Sequence, residues 1–98
     1  SMEKHSETCD ELYECLLRLK TKEDCRLLLS DLCTFNEIEQ MAGRVKAARL
    51  LLEGHTYSQI ISETEISSAT LSRVSRCVSH GSGGYAKFVR RGNDNAND

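Results

Sequence analysis

Apolar residues in this chain recur every three or four positions and nowhere alternate strictly. That is the pattern of helices rather than strands. Cys9, Leu12, Leu16 and Leu19 fall on one helical face, with Thr8-x-x-Glu11 as a candidate capping box. Cys25, Leu28, Leu29 and Leu32 make a second face, with Thr21 as its candidate opening. Thr34-x-x-Glu37 is another capping box, ahead of Ile38, Met41, Ala42, Val45 and Leu52. That spacing predicts a helix of about 20 residues ending at Gly54. Near its end, Ala47, Ala48, Leu50, Leu51 and Leu52 wrap most of the circumference. A helix apolar nearly all round is buried on several sides. In so short a chain this points to burial by a second subunit, in preference to a central helix of a monomer.

After Gly54 the predicted elements shorten. Thr56-x-x-Gln59 caps a helix through about Glu63, and Thr64, Glu65 and Ile66 make a tight connection. Ser67 or Ser68 caps the next helix, which runs to about Ser79. Glycine is the usual residue at the Glu65 position of such a turn, where the backbone favours positive φ, so Glu65 is expected to carry strain of roughly 1 kcal/mol. Residues 81–84, GSGG, read as a flexible break before a short final helix holding Tyr85, Phe88 and Val89. The polar tail GNDNAND, residues 92–98, reads as disordered.

Composition narrows the function classes. Ninety-eight residues make one domain. No apolar run reaches the roughly 20 residues of a membrane span, and no signal peptide is expected, so the reading is cytoplasmic. The five cysteines, Cys9, Cys15, Cys25, Cys33 and Cys77, form no C-x-x-C pair. They are expected as free thiols, with Cys9 and Cys25 acting as small apolar core residues. His5, His55 and His80 are scattered, and His55 is expected in solvent. No catalytic arrangement, metal cluster or cofactor is implied, so an enzyme is the weakest reading.

Charge changes the picture more. Residues 1–33 carry a net −3, residues 34–65 a net −2 and residues 66–98 a net +3. From Ile66 to Arg91 there are five basic residues (Arg73, Arg76, Lys87, Arg90, Arg91) and no acid. A short helix, a tight turn and a second helix make a helix-turn-helix at about residues 57–79. Ile60, Ile61, Ile66, Leu71, Val74 and Val78 can pack together, which turns Ser68, Ala69, Ser72, Arg73 and Arg76 to other faces. Small side chains let such a helix sit deep in a DNA major groove, hydroxyls meet base edges and an alanine methyl meets a thymine methyl. Basic residues neutralise phosphate, where a carboxylate would cost affinity. The candidate DNA-binding residues are Ser67, Ser68, Ala69, Thr70, Ser72, Arg73 and Arg76.

LCTFNEIEQMAGRVKAARLLLEG and SSATLSRVSRCV also resemble the Trp repressor superfamily, most closely its small YerC-type branch. The resemblance covers Leu32 to Val89, about 60% of the chain, and its A-T-[IL]-[ST]-R core is moderately specific. It implies an all-α, intertwined helical homodimer with a helix-turn-helix DNA-binding head. It also implies that Ser68, Ala69 and Ser72 fall at major-groove positions. Arg44 and Arg73 match the two arginines that sandwich tryptophan in the Trp repressor, and Thr34 matches a threonine beside that pocket. Val74 stands where the Trp repressor has a glycine that leaves room for the ring, and Cys77 where it has a serine that meets the ligand. These departures predict no tryptophan response.

The resulting reading is a sequence-specific transcriptional regulator, a repressor, acting as a homodimer on a palindromic operator without tryptophan. Residues 1–33 would be dimerisation helices and residues 34–91 a Trp repressor-like core. Its partners are double-stranded DNA and a second copy, with no membrane; a small-molecule effector stays open. The alternatives are a repressor responsive to tryptophan or another small molecule, and a protein-interaction module that does not bind DNA.

Overall fold

A computed structural model describes residues 6–89. The tail from residue 92, together with Arg90 and Arg91, lies outside the described residues. Among the described residues six helices follow one another: α1 (Glu7–Leu17), α2 (Lys22–Leu32), α3 (Phe35–Leu52), α4 (Tyr57–Glu63), α5 (Ser68–His80) and α6 (Gly84–Phe88). There is no strand among the described residues. The chain divides into two compact units between Ile38 and Glu39, inside α3.

In the first unit, local capping sets the helix starts. Thr21 opens α2 as expected, its hydroxyl accepting from the Asp24 N–H at 3.0 Å. Thr34 and Glu37 form the reciprocal box before α3: the Thr34 N–H donates to the Glu37 carboxylate at 2.8 Å, and the Glu37 N–H donates to Thr34 Oγ1 at 3.1 Å. The start of α1 differs from expectation. Ser6 is extended and accepts from the Cys9 N–H, so Thr8 lies inside the helix and caps nothing. Leu19 lies beyond the Arg18 C-cap rather than on the α1 face. Neither α1 nor α2 holds a buried residue. Leu17, Leu27 and Phe35 are 81%, 65% and 76% exposed.

The second unit has a core. Ala47, Ala48 and Leu50 of α3 pack with Ile60 of α4 and Leu71 and Val74 of α5, all buried. Leu51, Ile66, Val78, Tyr85 and Val89 close around them. The nearly all-round apolar end of α3 is therefore covered on its Ala47, Ala48 and Leu50 sides by this chain's own helices. Gly54 stops α3 with φ +91°. Its N–H donates to Leu51 O and the His55 N–H reaches back to Leu50 O, both at 3.0 Å, a Schellman closure that needs a left-handed residue.

Thr56 and Gln59 form the expected capping box on α4. Ser67, rather than Ser68, caps α5. The turn between them corrects a second expectation. Among the described residues only Gly54 and Gly83 have positive φ, so Glu65 carries no left-handed strain. The chain leaves α4 through an extended Thr64 (φ −133°, ψ 172°) and enters α5 through an extended Ser67. Extended backbone suits any residue, and glycine has no advantage there. Within GSGG, Gly83 is the left-handed cap of α6 and Gly84 its first residue.

Candidate nucleic-acid interface

α5 is an amphipathic helix whose sides are fixed by burial. Leu71 and Val74 are in the core and Val78 packs beside them. With about 3.6 residues per turn, the opposite side presents Ala69, Arg73, Arg76 and His80, all exposed. Ser68 is exposed at the first position of the helix, and Ser72 is half-buried on the flank. The first turn of α5 holds no acidic residue. One helix thus brings together six of the seven candidate DNA-binding residues, and the seventh, Ser67, is its cap.

The hydroxyls in this stretch are not equivalent. Ser67 Oγ accepts from the Thr70 N–H at 3.2 Å and donates to Thr70 Oγ1 at 3.0 Å. Thr64 Oγ1 donates to Ile60 O at 2.7 Å and accepts from the Ile66 N–H at 3.3 Å. Ser68 and Ser72 make no side-chain hydrogen bond among the described residues. Sequence reasoning placed Thr64 in the connection but missed its two bonds. A threonine closing one helix a few residues before a serine that caps the next was the available signal.

The residues suggested for a ligand pocket lie in unlike settings. Val74 is 1% exposed and belongs to the core. Thr34 spends its hydroxyl on the α3 cap. Arg44 is half-buried on α3, Arg73 is exposed on α5, and Cys77 is half-buried. A side chain as large as valine, packed against Ile60 and Leu71, occupies the room a glycine would leave.

Other expected residues behave unevenly. All five cysteines are free and half-buried. His55 is not in open solvent: it is half-buried, and its Nδ1 lies 3.2 Å from Leu50 O. A carbonyl only accepts, so Nδ1 carries the proton there. Among the described residues no cluster of His, Cys, Asp or Glu stands ready for a metal ion. No described helix is long and apolar enough to cross a membrane.

Residues 7–93 match the family model described as Trp repressor protein. The chain is 47% identical over 82 residues to the uncharacterized protein YerC of Bacillus subtilis (strain 168), covering 84% of this chain and 79% of that one. A crystal structure of a candidate Trp repressor from Staphylococcus aureus superposes with a TM-score of 0.85 at 36% identity, over 92% of this chain and 90% of that one. A TrpR-like protein from Eubacterium eligens ATCC 27750 superposes with a TM-score of 0.81 at 34% identity, over 84% of each chain.

Proposed function

The chain belongs to the Trp repressor family, whose members are DNA-binding regulators rather than enzymes, and on that premise we propose that it is a sequence-specific repressor acting as a homodimer. The observation that carries this reading is the acid-free outer face of α5, with Ala69, Arg73 and Arg76 exposed and Ser68 at its first turn. In each protomer α5 enters a major groove. Ser68, Ala69 and Ser72 meet base edges while Arg73 and Arg76 neutralise phosphate. The operator is palindromic because a two-fold dimer presents two identical helices. Repression follows from occupying promoter DNA, in the cytoplasm.

The regulator works without tryptophan as corepressor. Support comes from Val74, which sits in the hydrophobic core where an indole ring would need space. A tryptophan-responsive repressor is the reading this disfavours. The protein-interaction reading draws on the exposed apolar residues of α1 and α2. Salt separates it from DNA binding, because phosphate contacts weaken steeply as salt rises and apolar contacts do not.

The deciding experiment is selection of duplexes from a random DNA pool by the purified, reduced protein with no amino acid added. Recovery of one palindromic motif is expected. Recovery of no motif, with or without added L-tryptophan, would overturn the reading.

A further inference from the structure

We infer that Thr64, Ser67 and Thr70 form a hydroxyl frame that fixes how α5 is presented, and that base reading falls to Ser68, Ala69 and Ser72. This rests on the DNA-binding reading above and reassigns two of its candidate residues, Ser67 and Thr70, from contact to positioning.

A hydroxyl has one proton to give and two lone pairs to accept with. Thr64 gives its proton to Ile60 O at 2.7 Å and takes the Ile66 N–H at 3.3 Å. The Thr64 N–H donates to the same Ile60 carbonyl at 3.0 Å. One side chain thereby ties the last turn of α4 to Ile66, which packs against the core just ahead of α5. Ser67 continues the frame. It gives its only proton to Thr70 Oγ1 at 3.0 Å and takes the Thr70 N–H at 3.2 Å. Leu71 N–H donates to Ser67 O at 2.9 Å, so the cap is held by backbone as well.

The sequence from Thr64 to Ser72 thus divides its hydroxyls in two. Thr64 is engaged with the backbone of Ile60 and Ile66, and Ser67 and Thr70 are engaged with each other. Ser68 and Ser72 have no such engagement among the described residues and remain available to an external partner. The frame matters because the turn is otherwise extended and lacks the left-handed residue that would lock it. Without these bonds α5 can tilt about its entry, and every side chain on its outer face moves together.

This gives frame and reader residues different signatures. Loss of a reader flattens the preference at one base pair. Loss of a frame bond weakens binding to all sequences while their rank order is kept. The test measures affinity of wild type, Thr64→Val, Ser67→Ala, Thr70→Val, Ser68→Ala and Ser72→Ala for the selected operator and its single-base variants. Amide hydrogen exchange at Ile66 and Thr70 is followed in the free proteins.

The frame variants are expected to bind about three- to tenfold more weakly, the range of one net hydrogen bond, with base preferences in unchanged order. Ser67→Ala with Thr70→Val should bind no more weakly than Ser67→Ala alone, since the hydroxyl–hydroxyl bond lost in Thr70→Val is already absent without Ser67 Oγ. Thr64→Val should speed exchange at Ile66, and Ser67→Ala should speed it at Thr70. A flattened preference at one base pair in any frame variant would make that residue a reader and overturn the assignment. Unchanged exchange in Thr64→Val and Ser67→Ala would overturn the frame itself, whatever the DNA result. Failure of the wild type to select any DNA would remove the DNA-binding reading, and the exchange data would still decide the frame.

Discussion

Val74 carries the proposed independence from tryptophan, and its effect is measurable twice. It is buried against Ile60 and Leu71, so removing two methyl groups with Val74→Ala loses transfer energy and leaves a small void. A loss of about 2 kcal/mol is expected in urea denaturation. Isothermal titration of the wild type with L-tryptophan should show no micromolar binding; a clear micromolar isotherm would refute the corepressor-free reading. On the outer face the expectation reverses. Ser68→Glu and Ser72→Glu place carboxylates toward phosphate and should abolish specific binding while the thermal midpoint stays near that of wild type. Unchanged affinity in both would mean that the groove face has been misplaced. Leu71, Val74 and Val78 were legible as core because helical spacing repeats through them. His55 was not, because its partner is the Leu50 carbonyl, exposed only where the Schellman closure ends α3.

Helix boundaries follow the same division between local and non-local signals. The boxes at Thr34 and Thr56 were legible because both halves lie within four residues. The α1 start was misread because Ser6 caps without a glutamate three residues on, while Thr8-x-x-Glu11 mimics a complete box two residues too late. The turn conformation at Glu65 was also misread. Composition alone could not show that the chain would leave α4 extended and be held by Thr64. Gly54 is the opposite case, a stop signal in sequence and a left-handed residue in structure. A Cβ there meets nothing within 4 Å, so Gly54→Ala is penalised only through its backbone. A cost of about 1–2 kcal/mol is expected, read as a lowered urea midpoint with unchanged slope. An asparagine at the same position should cost less, because Asn tolerates the left-handed region. Equal losses for the two variants would locate the penalty elsewhere.

Along the chain, the basic stretch and the exposed apolar helices are different segments. Its basic third, with Arg73, Arg76 and Lys87 exposed among the described residues, is the end proposed to meet DNA. Its acidic N-terminal third supplies two helices with no fully buried residue. Helices of this length are marginal alone and draw their stability from packing an apolar face, so Leu17 and Leu27 need a cover that a second copy supplies in the proposed dimer. Leu17→Ser with Leu27→Ser should therefore lower both the dimer mass fraction in sedimentation and the operator affinity, with the affinity loss shrinking as protein concentration rises. The phosphate contribution is read separately. Arg76→Ala should weaken binding to all sequences alike and reduce the slope of log K against log salt by about 1; a slope unchanged from wild type would take Arg76 off the backbone. Spacing then links the two properties. Two reading helices joined through a rigid dimer match half-sites about one helical turn, roughly 34 Å, apart. Inserting about five base pairs between half-sites turns the second one to the far side of the duplex. Affinity should fall to that of a single half-site and return in part when about ten are inserted and the DNA bends to meet the dimer. Equal affinity at every spacing would mean that each α5 binds independently, and that the second copy adds concentration rather than geometry.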